Sequence, residues 1–250
     1  MSINVNSDWQ KAIGSGELHN KTLHDLSLDE AINDVTFTDC RFEQVTFQCE
    51  VMSECVFIDC QFYSCNFSSL KFQDCSFKNC QFYDAETEVG CVFKFATVTA
   101  SQFEHCDLSM ANFSRANLFR SELSHCQAQG ADLSQISVES RIGGKISLFE
   151  LSVSNCNFAY SDFSGAQLQE SSITDCRLID SIFNDANLEG ATLTDNELHG
   201  VTADRLVLRG ADLRGSGLDG LDVREIDMTG VTIDEGQQRV LLEALGIHIV

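Results

Sequence analysis

The residues best suited to chemistry in this chain of 250 residues are its twelve cysteines and six histidines. Cys40, Cys55, Cys60, Cys65, Cys75 and Cys80 are separated by multiples of five. Thiols at such regular spacing could pair as disulfides or ligate zinc. Their register argues against both. Eleven of the twelve lie two residues before a large apolar residue or its equivalent, and only Cys49 does not. Ala111, Ala116, Ala131, Ala166, Ala186, Ala191 and Ala211 occupy the same position. A cysteine that alternates with alanine is a small buried hydrophobe, so free thiols are expected. No C-x-x-C pair occurs, and no metal or cofactor is expected. His19, His24, His105, His125, His199 and His248 are scattered over mostly outward positions. No G-x-S-x-G elbow and no phosphate-binding glycine loop is present. The sequence therefore offers no catalytic residue, and the chain reads as a binding protein rather than an enzyme.

What positions the thiols is a period of five. Phe37, Phe42, Phe47, Met52, Phe57, Phe62, Phe67, Phe72, Phe77 and Phe82 follow one another at that interval. Five is neither the 3.6 of a helix nor the 2 of a strand. Within one repeat the large residue and the small one two before it point the same way, as in extended chain. The chain must then turn, or the next large residue would leave the core. Repetition gives a solenoid with an apolar axis and polar walls.

Composition agrees. Proline is absent, which suits a ladder that needs every backbone N–H. The formal charge of −22 makes nucleic acid and anionic membrane poor partners and a basic protein surface a good one. No apolar run approaches the roughly 20 residues of a spanning helix. Met1 to Gln10 carries no secretory pattern, so a cytoplasmic location is expected.

Residues 1–16 read as an N-terminal cap: Ser7 and Gln10 form a capping box, with Trp9 and Ile13 plugging the open end. Residues 17–233 read as one repeat domain. Leu18, Leu23 and Leu28 begin it, and one residue is missing around Ala31 to Asp34. Phe93 follows Phe82 by eleven, one residue beyond two repeats, which makes Tyr83 to Gly90 a projecting loop. Its candidate partner contacts are Tyr83, Asp84, Glu86, Thr87 and Glu88. From Phe93 to Ile233 the register never slips, with Ala128, Gly143 and Ala203 the only weak centres, so that Leu148 counts as a centre. Gly143 nonetheless lies among Arg141, Ile142, Gly144 and Lys145, which marks Val138 to Phe149 as a second projecting loop. The alternative is a glycine-softened corner within the coil. Residues 234–250 read as a helix ended by Gly246, then a short strand. Leu241, Leu242, Leu245, Ile247 and Ile249 would cap the solenoid or join two copies about a two-fold axis.

The five-residue pattern resembles the pentapeptide-repeat proteins, which implies an all-β, right-handed quadrilateral β-helix. Particular segments resemble the quinolone-resistance (Qnr) branch: Cys80 to Asp84, Gly90-Cys91, Cys106 to Ala111, Cys126 to Asp132 and Gln237 to Ile247. That resemblance implies a dimeric rod, joined through its C-terminal module, with two projecting loops. It implies binding to DNA gyrase and topoisomerase IV and protection of both from fluoroquinolones. Arg141 to Lys145 departs from that family's usual apolar, threonine-rich second loop.

About twelve coils at about 4.8 Å would make a rod near 60 Å long. Its charge density, roughly one per 2.7 Å, compares with one per ~1.7 Å in duplex DNA. Two other functions fit the same residues: an adaptor solenoid with a non-topoisomerase partner, and self-immunity against a gyrase-targeting toxin.

Overall fold

The computed structural model describes residues 13–219 and 221–248. The expected Ser7–Gln10 capping box and the Trp9 plug lie outside the described residues, while Ile13 packs against the end of the core.

The chain winds into a right-handed β-solenoid with four parallel walls. The large centres stack in four columns. Wall one carries Phe37, Phe57, Phe77, Phe103, Leu123, Val153 and Ile173. Wall two carries Leu23, Phe42 and Phe62, wall three Leu28 and Phe47, and wall four Ile32, Met52, Phe72 and Val98. Wall one is an eight-stranded sheet, extended by three rungs at Thr192, Asp212 and Thr232. That is one rung fewer than a twelve-coil rod, because both loops are taken out of the coil.

Phenylalanine dominates the N-terminal half of the axis. Phe37 and Phe57 stack at 4.6 Å between centroids, Phe57 and Phe77 at 4.8 Å, and Phe62 and Phe82 at 4.7 Å. These distances match the strand spacing, so each ring fills one rung without a gap. Rings of adjacent walls meet edge to face, as Phe77 and Phe82 do at 5.6 Å.

The thiols stack behind the rings. Cys40, Cys60, Cys80, Cys106, Cys126, Cys156 and Cys176 form one buried column, and every described cysteine is free. Most donate to a carbonyl of the rung before, as Cys60 does to Phe37. The same column continues in polar form. Asn196 Oδ1 accepts from the Cys176 N–H, its Nδ2 donates to Ile173, and its own N–H donates to Ser216 Oγ. A buried amide is tolerated there because both its ends are bonded.

Corners form by one residue in the left-handed region per repeat, such as Asp59, Asn79 and His125. Asparagine or aspartate just before many centres prepares the turn. Asn66, Asp107, Asn112 and Asp132 each accept from the N–H two residues on.

Two expectations are corrected. The missing N-terminal residue lies before Ile32, not around it: Ile32 is a centre aligned with Met52, and the short corner is Asp29 to Ala31. Cys49, the thiol out of register, turns inward where its own repeat runs beside that corner, and its N–H bonds to Leu28. Leu148 is not a core centre. The second loop adds ten residues to the coil, since Leu123 pairs with Val153. Ten equals two repeats, so counting by fives passed through the insertion unaware.

At the C-terminus Asp234 caps a short 3-10 turn, Glu235–Gln237, through a reciprocal capping box with Gln237. The α-helix Gln238–Ala244 follows. Ile247 bonds back to Leu242 and Gly246 to Glu243, a Schellman closure with Gly246 left-handed. Ile247 and His248 belong to no strand of the single chain, and Ile249 lies outside the described residues.

Candidate functional site

Loop A spans the corner between walls two and three. Tyr83–Asp84 pairs antiparallel with Val89–Gly90, and the Cys91 N–H closes the neck on the Phe82 carbonyl at 2.9 Å. The rungs flanking it are 26 residues apart rather than 20, as Phe67 and Phe93 show. The insertion is therefore six residues. Asp84 organises the turn: its Oδ1 accepts from the Glu86 N–H at 3.0 Å and its Oδ2 from the Thr87 hydroxyl at 2.8 Å. Those two bonds hold its carboxyl below the usual range, with Arg41 adding a smaller pull. Glu86, Thr87, Glu88 and Val89 are exposed, while Tyr83 and Asp84 are half-buried at the root. So loop A presents two free carboxylates and a valine, and Asp84 serves the turn.

Loop B spans the corner between walls four and one. It is a hairpin, not a corner within the coil: Glu139–Ile142 pairs antiparallel with Ile146–Phe149. Gly143 and Gly144 both take positive φ at its tip, which lets the strands return in three residues. Strand alternation sorts the hairpin into two faces. One carries Glu139, Arg141, Ser147 and Phe149. Arg141 and Ser147 both donate to the Glu139 carboxylate and hold it low, and Phe149 packs on the core. The other carries Ile142, Ile146 and Leu148, exposed at 58%, 59% and 42%. Lys145 stands at the tip.

Arg141, Ile142, Gly143, Gly144 and Lys145 are thus gathered on one hairpin, and Tyr83 to Glu88 on another. The two loops leave diagonally opposite corners of the rod, roughly two coils apart. The structure does not bring them together into one pocket. Ile146 and Leu148 were missed because the five-residue count claimed Leu148 for the core. Strand alternation from the Gly143-Gly144 turn would have found them.

At the C-terminal end Leu241 and Leu242 are half-buried, with Leu241 against the core. Leu245 and Ile247 are exposed at 52% and 47%. Among the described residues no three metal-ligating side chains cluster, and no helix is long and apolar enough to cross a membrane.

Comparison with known proteins places these features. A family model described as pentapeptide repeats matches in eight copies over residues 99–135 and 171–205. The chain is 35% identical over 88 residues to the pentapeptide repeat protein QnrB4 of Escherichia coli, 35% of this chain and 41% of that one. The quinolone resistance pentapeptide repeat protein QnrB96 of Scandinavium goeteborgense matches at the same identity and length. The chain thus spans about two fifths (41%) of the curated relatives it matches. The solved structure of full-length QnrB1, a plasmid-mediated fluoroquinolone resistance protein, superposes with a TM-score of 0.69 at 29% identity. That match covers 92% of this chain and 100% of QnrB1. In repeat pattern and fold the chain is similar to the Qnr pentapeptide-repeat proteins.

Proposed function

We propose that this Qnr-like chain binds bacterial type II topoisomerases, DNA gyrase and topoisomerase IV, and protects them from fluoroquinolones. It acts in the cytoplasm as a homodimeric binding protein with no catalytic step. The observation that carries this reading is the superposition on the whole of QnrB1, over 92% of this chain.

The wall supports a physical route. Eight strands and three further rungs make a rod of about 50 Å at the ordinary strand spacing. A charge of −22 over that length is roughly one per 2.4 Å, closer to the one per ~1.7 Å of duplex DNA than composition alone implied. A groove built for DNA attracts such a rod, and the loops supply specificity. Because the loops occupy opposite corners, one flat surface does not meet both roots. The partner surrounds the rod, or each loop meets a different part of it.

The test is gyrase supercoiling in ciprofloxacin with this protein titrated in. Rescue at concentrations that leave drug-free gyrase uninhibited is expected. Inhibition without rescue, or no effect, overturns protection.

A further inference from the structure

We propose that the corner running from loop A through Met110 and Gly130 to Tyr160 is a docking groove for a basic, amphipathic segment of the partner topoisomerase. The proposal rests on the topoisomerase reading above and names a contact surface beyond the loops.

Backbone bonds put these residues on successive rungs of one corner. The Met110 N–H donates to Gln129, that of Gly130 to Ala159, and that of Tyr160 to Ile179. Loop A is continuous with them, since Gly90 lies directly on the Met110–Ala111 peptide. Gly130 makes room for Met110: a Cβ on it would lie 2.6 Å from Met110 Sδ, so the methionine side chain lies over the bare backbone. Met110 laid across Gly130 is the apolar base of the groove, with Tyr160 at one end and Val89 at the other. The feature spans about three rungs, ~14 Å, enough for more than two turns of a helix.

Two features are unfavourable for the isolated chain. Met110 and Tyr160 sit at φ +55° and +63°, the left-handed region that large side chains disfavour. Both are also exposed, at 53% and 63%. Elsewhere on this corner the left-handed position holds Gln44, Ser64, Asp180 and Gly200. Phe95, another large apolar residue in that conformation, differs because Lys94 and Arg115 lie over its ring at 5.4 Å and 5.7 Å. Large apolar side chains left unburied at a position that elsewhere on this corner is polar or glycine point to a partner.

Charge selects the partner's chemistry. Asp84, Glu86 and Glu88 border the groove from loop A, and Asp107, Asp132, Asp162 and Asp180 from adjoining rungs. Arg177, the cation on the neighbouring rung, is paired with Glu197. The groove therefore accepts an aliphatic or aromatic side chain set between lysines or arginines.

The experiment measures affinity for intact gyrase with full-length protein. Tyr160→Ser removes the groove's aromatic end. Gly130→Asn displaces Met110 from that backbone while keeping a residue that tolerates φ +66°. Each is expected to weaken binding at least tenfold with an unchanged urea midpoint. Should Gly130→Asn fail to fold, Tyr160→Ser alone decides. Wild-type affinity in these variants, alongside lost binding when Asp84 to Val89 is deleted, overturns the groove and leaves the topoisomerase reading standing. Absence of binding by the unaltered protein overturns both.

Discussion

Gly90 lies so close to Met110 that a Cβ on the glycine would come within 2.3 Å of the Met110 carbonyl carbon. Backbone cannot retreat as a flexible side chain can, so this contact fixes loop A on its corner. Gly90→Ala should lower stability by about 1–3 kcal/mol, the usual effect of overpacking. The urea midpoint measures it, and an unchanged midpoint would mean that loop A floats free of the next rung.

Gln237 closes the other end. Its Nε2 donates to the carbonyls of Leu213 and Ser216, each at 2.7 Å, and its Oε1 accepts from the Asp234 N–H. Gln237→Leu strands two carbonyls and should cost about 1–3 kcal/mol. In a solenoid the loss is local. Hydrogen exchange should quicken from Leu213 to Ala244 and stay unchanged in the Phe-rich coils; uniform quickening would refute the local view.

Leu148 and Val153 give a paired test of the second loop. Leu148→Ser lies on the exposed hairpin face and should shift stability by no more than about 0.5 kcal/mol. Val153→Ser puts a hydroxyl inside the core and should cost several-fold more. Equal losses in a thermal melt would return Leu148 to the core.

The thiols should be silent in the native state. All the described cysteines are buried, and burial pushes Cys91 and Cys106 well above the ordinary thiol value. A thiol reagent at pH 8 should label none until denaturant is added. At Cys91 and Cys106 the raised folded pKa means that the native state keeps protons that the unfolded chain releases. Stability is full below the unfolded thiol value of 9.0 and falls as pH rises beyond it. Urea midpoints at pH 7.5 and 10.5 should therefore differ, the alkaline one being lower.

Leu245 and Ile247 test the proposed dimer. Both are exposed in the single chain, on either side of Gly246 just past the helix Gln238–Ala244. Leu245→Asp with Ile247→Asp should yield monomers in sedimentation, because charge at an apolar seam is costly. Dimers of wild-type strength would show that the helix serves only as an end cap.

The sequence by itself determined the solenoid, since a five-residue period with a large and a small inward residue admits little else. It determined the fate of the thiols, because their register coincides with that of alanine. It located both loops: Gly143-Gly144 and the eleven-residue step after Phe82 are local signals. Only the tertiary structure decided where the loops stand and what surrounds them. Which corner a repeat occupies depends on every insertion before it, so the diagonal placement of the loops is a sum along the chain. That Met110, Gly130 and Tyr160 share a corner is equally hidden. They lie twenty and thirty residues apart, the longer step containing the ten residues of loop B. A period read along the chain sees each of them alone; stacking across rungs brings them together.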